Sequence, residues 1–301
     1  MGKTLDYFHK LPKADVHNHF HLGSSQKRFI EKYNPTFKFP KNYDGLPGMI
    51  DFIYNHLNNY MTTKEDVINF MKMSILSSID DNVTYLEASV DIGLTRFFND
   101  SIDDVINEVR RLKNTYKSKI EFKPDFGFNK DLPIEKIYEY GEKCIDSGVF
   151  NGIDVYGKEA GQNLKPFQDL FKSAKKNNLK TKVHIGEFSN YKSIDEAIFL
   201  LNPDEIQHGI NAIHSQKTID SILERNIRLN MCIHSNLKLG AVKDISTHPI
   251  KILFDKGVKI TVNTDDIILF NSTATDELNT LYQHKVFSLD ELNIIRENSF
   301  S

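Results

Sequence analysis

Short apolar runs rich in β-branched residues alternate along the chain with longer stretches in which apolar positions recur every three or four residues. This pattern predicts strands separated by amphipathic helices. Eight runs predict strands: Ala14–His17, Val83–Ser89, Ile120–Phe126, Gly152–Val155, Thr181–His184, Glu205–His208, Arg228–Met231 and Lys259–Val262. The longer stretches predict helices: Ser101–Tyr116, Ile134–Ser147, Leu164–Asn177, Ser193–Leu201, Ser215–Arg225 and His248–Lys256. Ser193–Glu196 and Ser288–Glu291 each have the sequence of a capping box.

The spacing of these elements predicts the fold. From Gly152 onward, strands recur roughly every 25–30 residues, which is the repeat of a βα unit. We predict an α/β fold, a closed (β/α)8 TIM barrel, although alternation alone leaves an open doubly wound sheet possible. The stretch from Gly23 to Asn82 is too long for one connection and contains the helical run Met49–Met61. We therefore predict a single domain over 1–301 in which 24–82 form a lid-like helical insertion.

The composition is that of an ordinary globular chain. Among 301 residues, 38 Lys and Arg stand against 41 Asp and Glu, a formal net charge of −3, so a nucleic-acid polymer is not an expected ligand. No apolar run approaches the ~20 residues of a membrane span, and no signal-peptide core follows Met1, so we expect a soluble, cytoplasmic protein. Cys144 and Cys232 are too few for a disulfide framework, and we predict buried thiols.

Potential metal ligands and acids follow four of the predicted strands. They come after the first, fifth, sixth and eighth strands: His17 and His19, His184 and Glu187, His208, and Asp265 and Asp266. Because the carboxyl ends of barrel strands meet on one face, these side chains are expected to converge. Imidazoles with a carboxylate are the usual ligands of Zn²⁺, with Fe or Co as chemical alternatives. Buried acids and histidines that only pair with one another are the structural alternative.

Metal-dependent hydrolysis would give each of these histidines and acids a task. Three imidazoles and one carboxylate leave a position for a water, whose pKa a metal lowers toward ~7. Hydrolysis also needs a base for the water proton and an acid for the substrate, and His208 and Glu187 are the residues left for these tasks. Adjacent side chains diverge on an extended chain, so one of Asp265 and Asp266 can bind metal while the other faces the substrate.

Five segments in order resemble the adenosine deaminase family. They are Leu11–His19, Gly152–Glu159, His184–Glu187, Gln207–Ile210 and Asn263–Asp266. The resemblance implies hydrolytic deamination of adenosine or a related 6-aminopurine to the 6-oxo product and ammonia. It also implies one divalent metal ion, with Zn²⁺ as the first choice, and a small-molecule purine nucleoside or base as the binding partner. The cytidine deaminase type of zinc site needs a Pro-Cys-x-x-Cys pattern that this chain lacks.

The resemblance also implies roles for individual residues. The implied metal ligands are His17, His19, His184 and Asp265. Glu187 is implied to protonate the purine nitrogen beside the attacked carbon, His208 to accept the water proton, and Asp266 to hydrogen-bond the attacking oxygen or the imidazole side of the purine. Asp154 and Gly157 are implied to bind substrate, the latter by close approach of its backbone to the base. From the residues alone, Gly157 would be a simple turn glycine.

His21 departs from the family pattern. Family members commonly have an Asp there that holds the ribose 5′-hydroxyl, whereas a histidine both donates and accepts hydrogen bonds. We expect His21 to bind a different 5′ group, and an exposed loop residue is the alternative. Ile233 and Ile267 also replace a usual Pro, and the chain is short for the family at the insertion and the C-terminus.

The other histidines match nothing in the family. His9, His56, His248 and His284 are predicted to be surface or capping residues, and His214 and His234 lie near strand ends without a role. Two further functions stay open, namely another metal-dependent hydrolysis on the same barrel and a catalytically inactive nucleoside-binding protein. The sequence does not predict the oligomeric state.

Overall fold

The structure, a computed structural model, describes residues 2–159, 161 and 163–300. Eight strands form one sheet in which every strand lies beside its neighbours in the sequence, with parallel pairing throughout. The strands are β1 (Lys13–Asp15), β2 (Val83–Asp91), β3 (Glu121–Asn129), β4 (Gly152–Tyr156), β5 (Lys180–Ile185), β6 (Glu205–His208), β7 (Arg228–Met231) and β8 (Ile260–Val262). A parallel bridge between Asn18 and Asp265 joins the two ends of the sheet. The predicted (β/α)8 TIM barrel is confirmed, and the strand order excludes a doubly wound sheet.

Helices surround the sheet and cover its carboxyl end. The α-helices of the described chain are α1 (Gly2–Lys10), α2 (Gln26–Lys32), α3 (Gly45–Asn55), α4 (Lys64–Asp80), α5 (Ile102–Tyr116), α6 (Ile134–Asp146), α7 (Gln168–Lys176), α8 (Tyr191–Leu201), α9 (Gln216–Glu224), α10 (Ile233–Lys238), α11 (Ile250–Asp255), α12 (Ile267–Phe270), α13 (Ala274–Gln283) and α14 (Leu289–Asn298). Short 3₁₀ turns occupy Phe20–Leu22, Leu57–Tyr60, Ile92–Phe97, Lys165–Phe167, Ile210–His214 and Ile245–Thr247. Within the described residues, no helix has the length and apolar character needed to cross a membrane.

Helix caps explain where the predicted boundaries succeed and fail. Ser288 and Glu291 form the predicted capping box at the start of α14. The capping box predicted at Ser193 is wrong, because α8 begins two residues earlier and Ser193 lies inside it. The side chain of Asn190 accepts the Lys192 N–H at 2.9 Å, so it satisfies a free amide at the helix start and takes the capping position.

The predicted insertion divides into two parts. Helix α4 buries Val67, Met71 and Ile75 in the main core, so it serves as the helix that connects β1 to β2. The preceding segment, from α2 to the Leu57–Tyr60 turn, packs through a second, largely aromatic cluster. That cluster includes Phe29, Tyr43, Phe52, Phe70 and Phe270. The segment before α4 thus forms a layer that is anchored by aromatic packing and covers the carboxyl end of the barrel.

The interior of the barrel contains buried ion pairs as well as apolar side chains. The Lys182 ammonium lies 2.6 Å from a Glu87 carboxylate oxygen and 2.7 Å from an Asp125 oxygen. It also donates to the carbonyl oxygen of Val16 at 3.1 Å. Barrel interiors are usually filled with branched apolar residues, so this network is a specific feature of the chain. It fixes the main chain immediately before His17.

Candidate active site

Four side chains predicted as metal ligands meet above the carboxyl end of the strands. Nε2 of His17 lies 3.1 Å from Nε2 of His184 and 3.9 Å from Oδ1 of Asp265. Nε2 of His19 lies 3.5 Å from the same Asp265 oxygen. A tetrahedral ion at ~2.0–2.1 Å from each donor would hold its donors about 3.3 Å apart. The measured spacings lie near this value, and His208 is also close enough to His17 and His184 to share an ion with them. The cluster therefore has donors at a spacing that suits one metal ion, and the choice of these four as its ligands stays a prediction.

The backbone around Asp265 brings three of these residues together. The Asp265 N–H donates to the carbonyl of His17 at 2.8 Å, and the His19 N–H donates to the carbonyl of Asp265 at 3.2 Å. Asp265 has a φ of 59° and His208 a φ of 66°, both in the left-handed region. This conformation costs a non-glycine residue roughly 1–2 kcal/mol, so the surrounding hydrogen bonds must hold it in place.

Hydrogen bonds on the far side of two rings determine which nitrogen faces the cluster. Nδ1 of His17 lies 3.0 Å from the Asn230 carbonyl, and Nδ1 of His184 lies 3.1 Å from a carboxylate oxygen of Asp154. Both Nδ1 atoms therefore carry the hydrogen, which leaves a lone pair on each Nε2. Two lone pairs facing each other at 3.1 Å repel unless a cation lies between the rings and the neighbouring carboxylate. The donor set thus fits a bound cation on chemical grounds.

Burial disfavours the charged form of His17 and His19, which suits them as metal ligands because ligand imidazoles must be neutral. Burial, assisted by the neighbouring rings of His208 and His184, holds the pKa of His17 well below its ordinary value. Burial and His184 lower the pKa of His19 to about 3. Cys232 lies beside the cluster, but its Sγ is 3.3 Å from Nδ1 of His17, on the side away from Nε2. The predicted thiols Cys144 and Cys232 are both free and buried.

The predicted proton-transfer residues lie next to this cluster. Nε2 of His208 is 3.5 Å from Oε2 of Glu187 and 3.9 Å from Oδ2 of Asp265. Burial, followed by the charges of Asp265 and Glu159, holds the pKa of Glu187 well above its ordinary value. Burial and the adjacent Asp265 also raise the pKa of Asp266 strongly, and Oδ1 of Asp266 has no partner among the described side chains and backbone. Burial therefore disfavours the ionised form of both carboxyl groups.

Glu159 fixes the loop that carries Glu187. Its carboxylate accepts the N–H groups of Gly186 at 2.7 Å, Glu187 at 3.2 Å and Ser189 at 3.0 Å. It also accepts the Ser189 hydroxyl at 2.6 Å. Hydrogen bonds to an ionised acceptor are the stronger kind, so one side chain after β4 positions the turn after β5. The quoted segment Gly152–Glu159 contains this residue, but nothing in the sequence pairs it with a loop some thirty residues away.

A cavity of about 530 Å³ opens beside the cluster. His19, His184, Glu187, His208, Asp265 and Asp266 line its inner end. Leu46, Met49, Ile50 and Ile53 of α3 form an apolar wall, and Asp91, Arg96, Asn129 and Asp131 contribute polar groups. Helix α3 belongs to the predicted insertion, and its lid-like role stays a prediction.

Gly157 and His21 also line the cavity, as expected of substrate-binding residues. Gly157 has a φ of 103°, and a Cβ there would lie 2.5 Å from an oxygen of Asn129, so a larger residue would be strained. His21 is not an exposed loop residue: its Nδ1 is buried without a partner in the described chain. Burial and nearby Arg96 lower its pKa to about 4, so the ring is neutral near pH 7.

Asp154 occupies a different place from the other predicted substrate contacts. It is buried behind His184 and is absent from the residues that line the cavity. Burial opposes its ionisation, yet His184 and its hydrogen bond hold the pKa of Asp154 at about 2. Its position behind His184 therefore favours a role in orienting the imidazole of that proposed metal ligand over a contact with substrate.

Sequence reasoning missed two buried residues behind the site. Asn236 of α10 donates from Nδ2 to Oε1 of Glu187 at 2.5 Å, and His248 lies 3.1 Å from the Asn236 side-chain oxygen. His248 was predicted to be a surface or capping residue. It does cap α11, since its Nδ1 accepts the Ile250 N–H, but it is buried rather than on the surface. His234 pairs with Glu277 and does not line the cavity.

Comparison with known proteins identifies the family. The sequence profile described as Adenosine deaminase matches residues 12–301. A putative adenosine/adenine deaminase from Treponema pallidum is 34% identical over 277 residues, which cover 92% of this chain and 93% of that protein. The chain belongs to the adenosine deaminase family. The resemblance noted in the sequence is thereby confirmed, and the protein is an aminohydrolase that acts on C–N bonds.

Solved structures of low identity share the fold of this adenosine deaminase family member. The adenine deaminase of Arthrobacter aurescens has a TM-score of 0.84 at 21% identity and covers 96% of this chain and 92% of its own. Arabidopsis ADAL in complex with IMP has a TM-score of 0.81 at 18% identity, covering 98% and 92%. The Treponema pallidum relative is named for adenosine and adenine, and the Arthrobacter aurescens protein is named for adenine. The Arabidopsis structure contains IMP, a nucleotide. The family is metal-dependent and binds small-molecule purines.

Proposed function

We propose that this protein converts adenosine or a closely related 6-aminopurine nucleoside, with water, to the 6-oxo product and ammonia. A bond forms between the water oxygen and C6, the bond from C6 to the amino nitrogen breaks, and the water hydrogens complete the ammonia and the 6-oxo tautomer. One observation carries the proposal: a buried carboxyl group with a raised pKa, Glu187, lies beside a His and Asp cluster at the inner end of a cavity.

A divalent metal, for which we propose Zn²⁺, is held by His17, His19, His184 and Asp265. When bound, such an ion supplies a nucleophile at neutral pH by lowering the pKa of water. Neutral imidazoles with one carboxylate suit Zn²⁺ better than they suit the oxygen-seeking Mg²⁺ and Ca²⁺. We propose the cytoplasm as the compartment, since a chain with only two cysteines, both free and buried, needs no oxidising environment to fold.

Glu187 distinguishes deamination from other hydrolyses on the same barrel. A buried carboxyl group whose pKa is raised is suited to donate a proton to the ring nitrogen next to C6, which makes that carbon more electrophilic. Cleavage of a phosphoester does not need a proton at such a nitrogen. We propose that His208 and Asp266 hold the attacking oxygen and the purine in line with this donor, while the backbone at Gly157 lies against the base.

The cavity supports a nucleoside as substrate. Its volume of about 530 Å³ lies within the ordinary range for a small-molecule site and exceeds the needs of a bare purine. Beyond the cluster it carries neutral His21 and the carboxyl groups of Asp91 and Asp131, which can accept hydrogen bonds from ribose hydroxyls. Among the described residues that line the cavity, Arg96 is the single Lys or Arg and it interacts with Asp91, so little positive charge is left to hold a phosphate.

A substrate comparison tests these proposals directly. Purified protein of known metal content is assayed for ammonia release from adenine, adenosine, deoxyadenosine, 5′-modified adenosines and AMP. We expect the highest kcat/KM with an uncharged nucleoside. Turnover of AMP above adenosine would overturn the substrate assignment. Metal-free protein that binds these purines without releasing ammonia would instead support a binding protein, and phosphatase activity without ammonia would support another hydrolase.

A further inference from the structure

We propose that Asn236, oriented by His248, is a positioning residue that sets the proton-bearing atoms of Glu187 and His208. Asn236 is fully buried in α10, and neither Asn236 nor His248 is among the residues that line the cavity. The Asn236 amide nitrogen is 2.5 Å from Oε1 of Glu187 and 3.3 Å from Nδ1 of His208. One amide thus contacts both groups assigned to proton handling, and the inference rests on the function proposed above.

His248 determines which way the amide of Asn236 points. A backbone N–H can only donate, so Nδ1 of His248, 3.1 Å from the Ile250 nitrogen, must be an acceptor. The ring hydrogen is then on Nε2, which lies 3.1 Å from Oδ1 of Asn236. The amide oxygen must therefore face His248. The amide nitrogen, with its two hydrogens, must face Glu187 and His208.

This orientation has a consequence for each of the two groups that the amide nitrogen contacts. Oε1 of Glu187 accepts a hydrogen bond, so the acidic hydrogen of the carboxyl group belongs on Oε2, the oxygen 3.5 Å from Nε2 of His208. Nδ1 of His208 lies 3.3 Å from the same amide nitrogen and can accept its second hydrogen. Nε2 of His208 is then the nitrogen that faces Glu187 and Asp265, at 3.5 and 3.9 Å.

Loss of this positioning is expected to lower kcat and to leave substrate binding nearly unchanged. Without the N–H donor of His248, the Asn236 amide can rotate and present its oxygen to Glu187, which places the acidic hydrogen on Oε1. Substrate still enters the cavity, since neither residue contacts it. We expect kcat to fall about tenfold, the size of one buried hydrogen bond, with KM changed less than about twofold.

The experiment compares His248→Leu with His248→Gln, since Gln keeps a side-chain N–H donor that can reach Asn236. His284→Leu, at the exposed end of α13, is the matched control. Leu at 248 is expected to lower kcat about tenfold while KM and bound metal per chain stay at wild-type values, and Gln is expected to recover most of the loss. Equal kcat for the Leu variant and wild type would overturn the proposal, as would an equal loss in the Leu and Gln variants.

A second substitution covers the case in which His248→Leu does not fold. Asn236→Asp has nearly the same shape but replaces both amide hydrogens by an acceptor oxygen. We expect a larger loss of kcat than for His248→Leu, again with metal retained, and an Asp variant with wild-type kcat would refute the proposal. Wild-type protein that releases no ammonia from any 6-aminopurine would overturn the proposed function instead, so the two failures are distinguishable.

Discussion

Replacing Lys182 by Met tests whether the buried ion pairs of the barrel interior support the site above them. The Lys182 ammonium donates to Glu87 at 2.6 Å, to Asp125 at 2.7 Å and to the Val16 carbonyl at 3.1 Å. Met keeps much of the unbranched stem but has no donor. The substitution therefore leaves two carboxylates and one carbonyl without their central partner, directly below His17.

The expected loss of unfolding free energy depends on how completely these three side chains are buried. The Lys182 side chain is 1% exposed and those of its two carboxylate partners are 2% and 3% exposed, so water cannot replace the lost hydrogen bonds. Removing one partner of a buried ion pair costs ~3–5 kcal/mol. Burial already raises the pKa of Asp125 to about 7, so this group can take up a proton with little penalty. We therefore expect Lys182→Met to lower the free energy of unfolding by about 3 kcal/mol, the lower end of that range.

Urea unfolding of the metal-loaded protein measures this cost, and Lys180→Met provides the matched control. Lys180 lies 3.0 Å from the same Glu87 carboxylate, but its side chain is 38% exposed, so its removal should cost less than about 1 kcal/mol. Adding Glu87→Gln and Asp125→Asn to Lys182→Met should restore part of the loss. If Lys182→Met costs no more than Lys180→Met, the ion pairs do not support the barrel as argued here.

Four further outcomes are expected. Glu187→Gln should keep its metal while ammonia release falls by ~10² or more, and near-wild-type activity would exclude Glu187 as the proton donor. Asp265→Ala should lose bound metal in equilibrium dialysis, and full retention would contradict its assignment as a ligand. His21→Ala should raise KM for adenosine several-fold but not KM for adenine; equal effects on both would remove His21 from the ribose side. Burial lowers the pKa of His248 from its ordinary 6.5 to about 4, so the unfolded chain binds an extra proton between these values. The wild type should lose up to about 3 kcal/mol of unfolding free energy from this group as the pH falls from 6.5 toward 4, and His248→Gln should lose less in urea titrations at both pH values.

The barrel and its cluster of potential ligands could be predicted because both depend on local patterns. A βα repeat predicts parallel strands, and the closed barrel places the residues after each strand on one face, so His17 and Asp265 meet despite their distance in sequence. Strand boundaries moved by only a few residues, as for β3, which extends to Asn129 rather than Phe126. Helices α1, α10, α12 and α13 were not predicted, and α10 and α12 have only six and four residues, which is too short for an apolar repeat to show.

The supporting hydrogen bonds could not be predicted, since each joins side chains that are far apart in the sequence. Asn236 contacts Glu187 across 49 positions, and Glu159 contacts Ser189 across 30. Sequence spacing informs only about neighbours on one strand or helix. It therefore indicated roles for groups that follow the strands, but not for Asp91, Arg96 or Asn129, which also line the cavity. It also predicted a substrate contact for Asp154, which the structure places against His184.

These supporting contacts explain how neutral imidazoles can be held close together. Three of the rings at the cluster are fixed from behind: His17 by the Asn230 carbonyl, His184 by Asp154 and His208 by Asn236. Asn230 is itself bound through its amide to Glu205, which pairs with Arg228 at 2.6 Å. The ion pairs inside the barrel thus reach His17 through Asn230 as well as through Val16. A rigid support from below is needed because facing lone pairs repel, and without it the rings would turn away from the position at which one cation can bind them all.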